Sequence, residues 1–108
     1  MRYAATMLSS PARIPWDRSA PPDEAELRRR LAAAGFAVMA WSDPPGRYYQ
    51  AHEHDHDESL WCVRGAIVFW IDGVAYPLGP GDRLVLPRGT VHTARAGAAG
   101  ATYLIGER

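Results

Sequence analysis

After Gly35 the sequence consists of short runs rich in β-branched and aromatic residues, separated by turn signals. Several such runs at close spacing favour a β-sandwich or a barrel over a parallel sheet. The clearest hairpin lies at Asp72-Gly73, a residue pair that tight primed turns prefer. The predicted strands are FAVMAW, RYYQAHEH, SLWCV, AIVFWI, VAYPL, DRLVLP, VHTARA and ATYLIG, and AGAAGA (residues 96–101) is predicted to be a surface loop.

The run AIVFWI is apolar on both faces. Because side chains two apart in a strand point the same way, Ile67, Phe69 and Ile71 share one face, and Val68 and Trp70 share the other. A strand of this kind should be covered on both sides. A barrel wall that also meets another subunit would provide that cover.

Residues 23–35 have the chemistry of a short helix. Proline and acids occupy its first turn, Leu27 and Leu31 stand one turn apart, and Gly35 follows as the C-cap. Residues 1–22 are proline-containing and lack periodicity, so they form an arm that lies across a partner strand or a frayed end. We therefore expect one domain over residues 1–108, with an arm (1–22), a helix (23–35) and a β barrel (36–108).

Composition excludes several classes of partner. The chain has 12 basic and 12 acidic side chains, so its formal net charge of zero offers no general attraction for nucleic acid or anionic lipid. Cys62 is the single cysteine, and its place in the apolar run LWCV favours a buried small hydrophobe over a reactive thiol. Without a recognisable signal peptide or membrane-spanning run, the expected location is the cytoplasm.

The segment GRYYQAHEHDHDESLWCVRG raises the question of a metal site. By strand parity, His52 and His54 project to one side together with Tyr48 and Gln50 upstream. Leu60 and Cys62 continue the even series, which indicates that this face is the inner one. Taken alone, however, HEHDHDE could equally be a solvated acidic loop with incidental histidines.

Two spaced motifs resemble those of the cupin superfamily. The anchored positions are Gly46, His52, His54, Glu58 and Gly65 in the first motif, and Gly81, Pro87, Gly89 and His92 in the second, with fifteen residues between the motifs. The second motif usually ends in Asn, where this chain has Ala96. The resemblance implies an all-β double-stranded β-helix, a jelly-roll barrel of the RmlC-like type, with a metal bound inside.

Carried over by position, the resemblance implies that His52, His54, Glu58 and His92 are the metal ligands. Three imidazoles and one carboxylate suit a divalent transition metal (Fe, Mn, Ni, Co, Cu or Zn) and poorly suit Ca or Mg. With octahedral preference, four protein ligands leave two positions open, as a working site needs.

Further residues are candidates for the pocket around the metal. Tyr48 and Gln50 either line the pocket or pack in the barrel wall. His56 fits no ligand position of the motif and is predicted to lie at the pocket rim or behind the ligands, although an exchange with a ligand stays open. Arg88 either holds an anionic group at the barrel mouth or is a surface arginine.

Three functions from different classes agree with this site. The favoured one is a mononuclear metal-dependent oxygenase of a small organic substrate, in which Glu58 is the catalytic proton acceptor. The alternatives are a metal-dependent isomerase or lyase of a sugar-like or hydroxy-carbonyl compound, and a non-catalytic small-molecule binding module. Members of the cupin superfamily of this size are commonly dimers. Together with the apolar central strand and the N-terminal arm, this predicts a homodimer.

Overall fold

The structure is a computed structural model that describes residues 10–108, and it confirms the predicted all-β jelly roll with one short helix. Within these residues the elements are β1 (Ala12–Ile14), α1 (Glu24–Ala33), β2 (Ala37–Asp43), β3 (Tyr48–His52), β4 (Glu58–Ile71), β5 (Val74–Leu78), β6 (Arg83–Leu86) and β7 (His92–Glu107). The helix agrees with the prediction to within two residues. Ala34 is its C-cap and Gly35 follows with φ of 90°.

Two long strands, β4 and β7, form the centre of the fold. All pairings are antiparallel, and the order β1-β6-β4-β7-β2 is completed by β3 on β7 and β5 on β4. The hairpin between β4 and β5 turns at Asp72 and Gly73, both with positive φ (51° and 77°), as a type I′ turn requires. The predicted hairpin is therefore confirmed.

The prediction divided β4 and β7 into shorter pieces, and this was wrong. SLWCV and AIVFWI belong to one strand that bends at Gly65, and the predicted loop AGAAGA lies inside β7. Gly65 has φ of 74°, and a Cβ there would collide with the backbone carbonyl of Gly100. The glycine thus allows two strands to cross at close range where a side chain would have ended the pairing.

The barrel interior and the space under the helix hold separate apolar clusters. Leu60 and Cys62 point inward, as parity predicted, and Cys62 is fully buried. Trp61 and Val63 point outward and pack under α1 against Leu27 and Leu31. Burying leucines completely stabilises the fold by roughly 1.5–3 kcal/mol each, so α1 is held to the barrel mainly by its two leucines.

Before Gly65 the side chains at even positions point into the barrel, and after it those at odd positions do. Ile67, Phe69 and Ile71 are buried in the barrel, whereas Val68 and Trp70 on the other face remain half-buried. The expected cover on both sides is therefore incomplete within residues 10–108.

The described part of the N-terminal arm lies on its own chain. β1 pairs with β6, and the Arg13 guanidinium forms a 3.0 Å ion pair with Asp82. Asp82 also accepts a 2.8 Å hydrogen bond from the Trp16 backbone N–H, while the Trp16 ring covers Gly81. These contacts attach the arm to the barrel wall; residues 1–9 lie outside the described part of the chain.

Candidate metal centre

All four histidines of the chain lie at one end of the barrel. His52 ends β3, His92 begins β7 directly opposite it, and Glu58 begins β4. His54 and His56 lie in the loop that joins β3 to β4. Strand ends from distant parts of the sequence thus place imidazoles and a carboxylate around one small volume.

His52, His54 and His92 face one another. Their ring centroids are 4.3 Å (His52 to His92), 5.0 Å (His52 to His54) and 5.5 Å (His54 to His92) apart. One possible ligand atom from each lies within 4.8 Å of the others. The Glu58 carboxylate joins this group, since its Oε1 is 3.5 Å from His54 Nε2.

Backbone carbonyls fix the tautomer of two of these rings. His52 Nδ1 lies 2.7 Å from Gln50 O, and His92 Nδ1 lies 2.8 Å from Thr90 O. Because a carbonyl oxygen only accepts, each Nδ1 carries the hydrogen, and the neutral ring keeps an unprotonated Nε2. Metal-binding histidines are commonly oriented by this kind of second hydrogen bond.

Burial adjusts the protonation of the site. Burial lowers the pKa of His92, which is 3% exposed, and the neighbouring His52 and His54 lower it further. The ring therefore stays neutral, as a ligand must. Burial also raises the pKa of Glu58, while His54 and His56 oppose that change, so this carboxyl binds a proton more readily than an exposed glutamate does.

His56 lies on the outer side of Glu58. Its Nε2 is 3.5 Å from Glu58 Oε2 and 3.4 Å from Glu107 Oε2. Glu107 comes from the end of β7 and is the register partner of Glu58 in the sheet. His54, His56 and Glu58 consequently form a second group of possible ligands beside the first.

A cavity of about 230 Å³ opens beside the histidines. Its walls are mostly apolar and aromatic, which suits a small organic molecule. The lining residues are Met39, Trp41, Tyr49, His52, His54, Glu58, Leu60, Phe69, His92, Ala94, Tyr103, Ile105 and Glu107.

A buried carboxylate supports one wall of this cavity. Asp43 Oδ1 accepts hydrogen bonds from the Tyr49 hydroxyl and, at 3.0 Å, from Trp41 Nε1. Asp43 Oδ2 accepts a 2.7 Å hydrogen bond from the Tyr103 hydroxyl. Because Asp43 is 6% exposed, these three aromatic donors are held in fixed positions around it.

Comparison with known proteins identifies the family. A family model described as "Cupin domain" matches residues 39–105, more than half of the chain. The chain belongs to the cupin family.

One curated relative of this cupin is quercetin 2,3-dioxygenase from Bacillus subtilis (strain 168). The two are 38% identical over an alignment 76 positions long, which covers 65% of this chain and 23% of the relative. The cupin therefore spans about a quarter of the length of the curated relative it matches.

Solved structures show the same fold. A cupin 2 domain-containing protein from Halorhodospira halophila superposes with a TM-score of 0.68 at 20% identity, over 92% of this chain and 75% of the other. KdgF from Halomonas sp. gives a TM-score of 0.57 at 28% identity, over 68% and 69% of the two chains. In the described part of the cupin, no helix is long and apolar enough to cross a membrane.

The residues of this cupin fit a divalent transition-metal ion. The ligand atoms of His52, His54 and His92 lie within 4.8 Å of one another. Metal–nitrogen bonds of roughly 2.0–2.1 Å require the ligands of one ion to lie slightly closer together than that, so small side-chain rotations would bring them to bonding distance. His52, His54, His92 and Glu58 would hold the ion, a mixed nitrogen and oxygen set of borderline softness. Ala96, in place of the usual Asn, is buried in β7 opposite Ile67.

Two predicted pocket residues lie elsewhere. Tyr48 is 45% exposed and stacks with Arg95, and Gln50 is exposed; neither lines the cavity. The register of β3 on β7 shifts by one residue between Tyr49 and His52, which marks a β-bulge. The bulge puts Tyr49, not Tyr48, on the same side as His52, and parity alone could not have shown this.

The other two candidates have clear positions. Arg88 is exposed and does not line the cavity, in agreement with the surface alternative. His56 contacts the predicted ligand Glu58 at 3.5 Å and does not line the cavity. Asp43, Tyr103 and Glu107 were missed because they lie outside both motifs. Tyr103 falls within a predicted strand, and Asp43 and Glu107 come just after predicted strands, where the local pattern indicates no role.

Proposed function

We propose that this cupin is a mononuclear metal-dependent oxygenase of a small organic substrate. The observation that carries the proposal is the convergence of three imidazoles and a buried carboxylate at the wall of a cavity lined by aromatic side chains. The similarity to quercetin 2,3-dioxygenase of Bacillus subtilis supports oxygen chemistry. Dioxygenation also needs no separate reductant, since both oxygen atoms enter the product.

The ligands proposed are His52, His54, Glu58 and His92, and the metal is one divalent ion of Fe, Mn, Ni, Co, Cu or Zn. When bound, such an ion would supply a Lewis-acid centre and, for every metal of this set except Zn, redox chemistry. The carbonyls of Gln50 and Thr90 keep two of the rings in the tautomer that leaves Nε2 free.

Glu58 is proposed to accept a proton from the substrate. Its burial raises the pKa of the carboxyl, which favours uptake of a proton from an acidic enol or hydroxyl group beside it. The apolar walls at Leu60, Phe69 and Ile105 exclude water and hold the substrate against this end of the barrel. A cavity of about 230 Å³ favours a small substrate, or a larger one that inserts only the group that reacts.

The test is oxygen uptake by the metal-reconstituted protein. Separate samples loaded with each of the six metals are given enediols, flavonols and β-diketones, and dioxygen consumption is recorded with an oxygen electrode. We expect uptake with a redox-active metal that the His52→Ala variant loses. Uptake equal in wild type and variant, with every metal and substrate, would contradict the proposal.

The same panel separates the two alternatives. Turnover of a hydroxy-carbonyl compound by the Zn form under nitrogen would indicate an isomerase or lyase. Thermal stabilisation by a compound that is recovered unchanged would indicate a binding module.

The protein is also proposed to form a homodimer. Met39 (46% exposed) and Trp41 (43% exposed) lie on β2, at one end of the strand order, and they form part of the cavity wall. A second copy would cover these side chains and the half-buried Trp70 or Val68. Light scattering at micromolar concentration should give twice the chain mass; a monomer mass would contradict the dimer.

A further inference from the structure

His56 has no place in the set of four proposed ligands, yet it is surrounded by ligand atoms. Its Nε2 is buried and has no hydrogen-bond partner within residues 10–108. Its Nδ1 lies 3.3 Å from Asp55 Oδ1. The ring is thus oriented by an exposed acid on one side while its other nitrogen faces carboxylates.

The distances around this nitrogen are those of ligands on a shared ion. His56 Nε2 is 3.4 Å from Glu107 Oε2 and 3.5 Å from Glu58 Oε2, and the other Glu58 oxygen, Oε1, is 3.5 Å from His54 Nε2. His54, His56 and Glu58 each offer a ligand atom within 4.8 Å of the others, and Glu107 adds a fourth through its contact with His56. Tetrahedral ligands at about 2.1 Å from a metal lie roughly 3.4 Å from one another. Hydrogen bonds would instead be shorter, near 2.9 Å.

We propose that His54, His56, Glu58 and Glu107 form an outer cation position, which a divalent transition-metal ion occupies before it reaches the inner set. The inner set is the one proposed above, and this inference rests on it. His54 and Glu58 belong to both sets. An ion that moves inward therefore keeps two ligands while it exchanges His56 and Glu107 for His52 and His92.

The exposure of the ligands gives the direction of this path. The side chains of His56 and Glu107 are 26% and 43% exposed, whereas His92 is 3% exposed. The outer set also has two carboxylates where the inner set has one, so it attracts a hydrated cation more strongly. Because His54 and Glu58 are shared, the two positions hold one ion at a time.

The first test removes the inner set. The chain carrying both His52→Ala and His92→Ala is titrated with Co²⁺, followed by visible absorption and by equilibrium dialysis. We expect one equivalent bound, with an affinity reduced by more than the roughly 10–100-fold that loss of a metal-orienting side chain costs. Adding His56→Ala should abolish this binding. Equal Co²⁺ binding with and without His56, or two equivalents bound by wild type, would overturn the proposal.

The second test measures the rate of metal loading in a chain that keeps the inner set. It tests the outer position even if circular dichroism shows that the His52→Ala/His92→Ala variant does not fold. Stopped-flow mixing of metal-free protein with Co²⁺ should show His56→Ala loading roughly 10-fold more slowly, with one equivalent still bound at the end. Glu53→Gln is the matched control, since it removes a neighbouring exposed carboxylate that belongs to neither set. Loading of His56→Ala at the wild-type rate would overturn the proposal.

Failure of the outer position and failure of the oxygenase proposal are distinguishable. Wild type without oxygen uptake, whose loading still depends on His56, keeps the outer position and loses the oxygenase. Oxygen uptake with loading that is independent of His56 does the reverse.

Discussion

Replacing Asp43 with alanine removes the acceptor that three cavity side chains share. Trp41 and Tyr49 donate to Oδ1, and Tyr103 donates to Oδ2. Asp43→Asn is the matched variant, because it keeps the size of the side chain and one oxygen acceptor. The Asn side chain has no negative charge, and its NH₂ group takes the place of one carboxylate oxygen. That group donates and does not accept, so one of the aromatic donors loses its acceptor.

The magnitude follows from the burial of each donor. Leaving the buried Tyr103 hydroxyl without a partner costs about 1–3 kcal/mol, and the more accessible Tyr49 hydroxyl, which water can reach, adds about 0.5–1.5 kcal/mol. Trp41 Nε1 keeps an acceptor, because it also donates to the Tyr49 hydroxyl at 3.0 Å. We therefore expect Asp43→Ala to lower the free energy of unfolding by about 3 kcal/mol, and Asp43→Asn by about 1–2 kcal/mol.

Urea denaturation followed by tryptophan fluorescence measures both variants against wild type. A loss of about 3 kcal/mol in a domain of this size lowers Tm by about 12–24 °C, which a thermal melt checks independently. A free energy of unfolding for Asp43→Ala within about 1 kcal/mol of wild type would show that the three hydrogen bonds contribute little to the fold.

Three more predictions concern the strand crossing, the thiol and the metal. Gly65→Ala should cost about 3 kcal/mol or more in urea denaturation, because positive φ costs roughly 1–2 kcal/mol and the added methyl meets Gly100; Gly46→Ala, with similar φ and open space, should show the backbone cost alone, and equal losses would contradict the steric argument. Burial raises the pKa of Cys62 to about 11, so the native protein at pH 8 should not react with iodoacetamide until urea unfolds it; rapid labelling of folded protein would contradict this burial. Metal at 100 times its Kd should stabilise the fold by about 2.7 kcal/mol, seen as a rise in Tm that EDTA and His92→Ala each remove; a rise that persists in the variant would exclude His92 as a ligand.

The sequence predicts the fold well wherever local chemistry decides it. The first-turn acids and Gly35 delimit the helix, and Asp72-Gly73 specifies the hairpin. Gly65 was predicted to separate two strands and Gly100 to lie in a surface loop, because glycine signals a break in both cases; both have positive φ inside a continuous strand. Whether a strand continues past such a glycine depends on the partner strand, which the local sequence does not contain.

The site is predictable to the extent that spacing encodes it. The structure places His52, His54 and His92 together, with Glu58 3.5 Å from His54, and their role as metal ligands stays a prediction. Tyr49 was missed because one inserted residue in β3 reverses parity. Glu107 was missed because its position depends on its register with Glu58 across the β4–β7 ladder, and pairing between distant segments leaves no local pattern.

The pairing of β3 with β7 also sets the order in which the histidines can meet. His52, His54 and His56 are neighbours along the chain, whereas His92 arrives only with the last described strand. Pairings between distant segments form slowly, because the entropy of closing the loop opposes them first. An unfolded or newly made chain can therefore chelate an ion through three adjacent imidazoles before the barrel exists. For the proposed metal centre, closure of the strands would therefore compete with this early binding, and a low concentration of free metal during synthesis would favour the folded barrel.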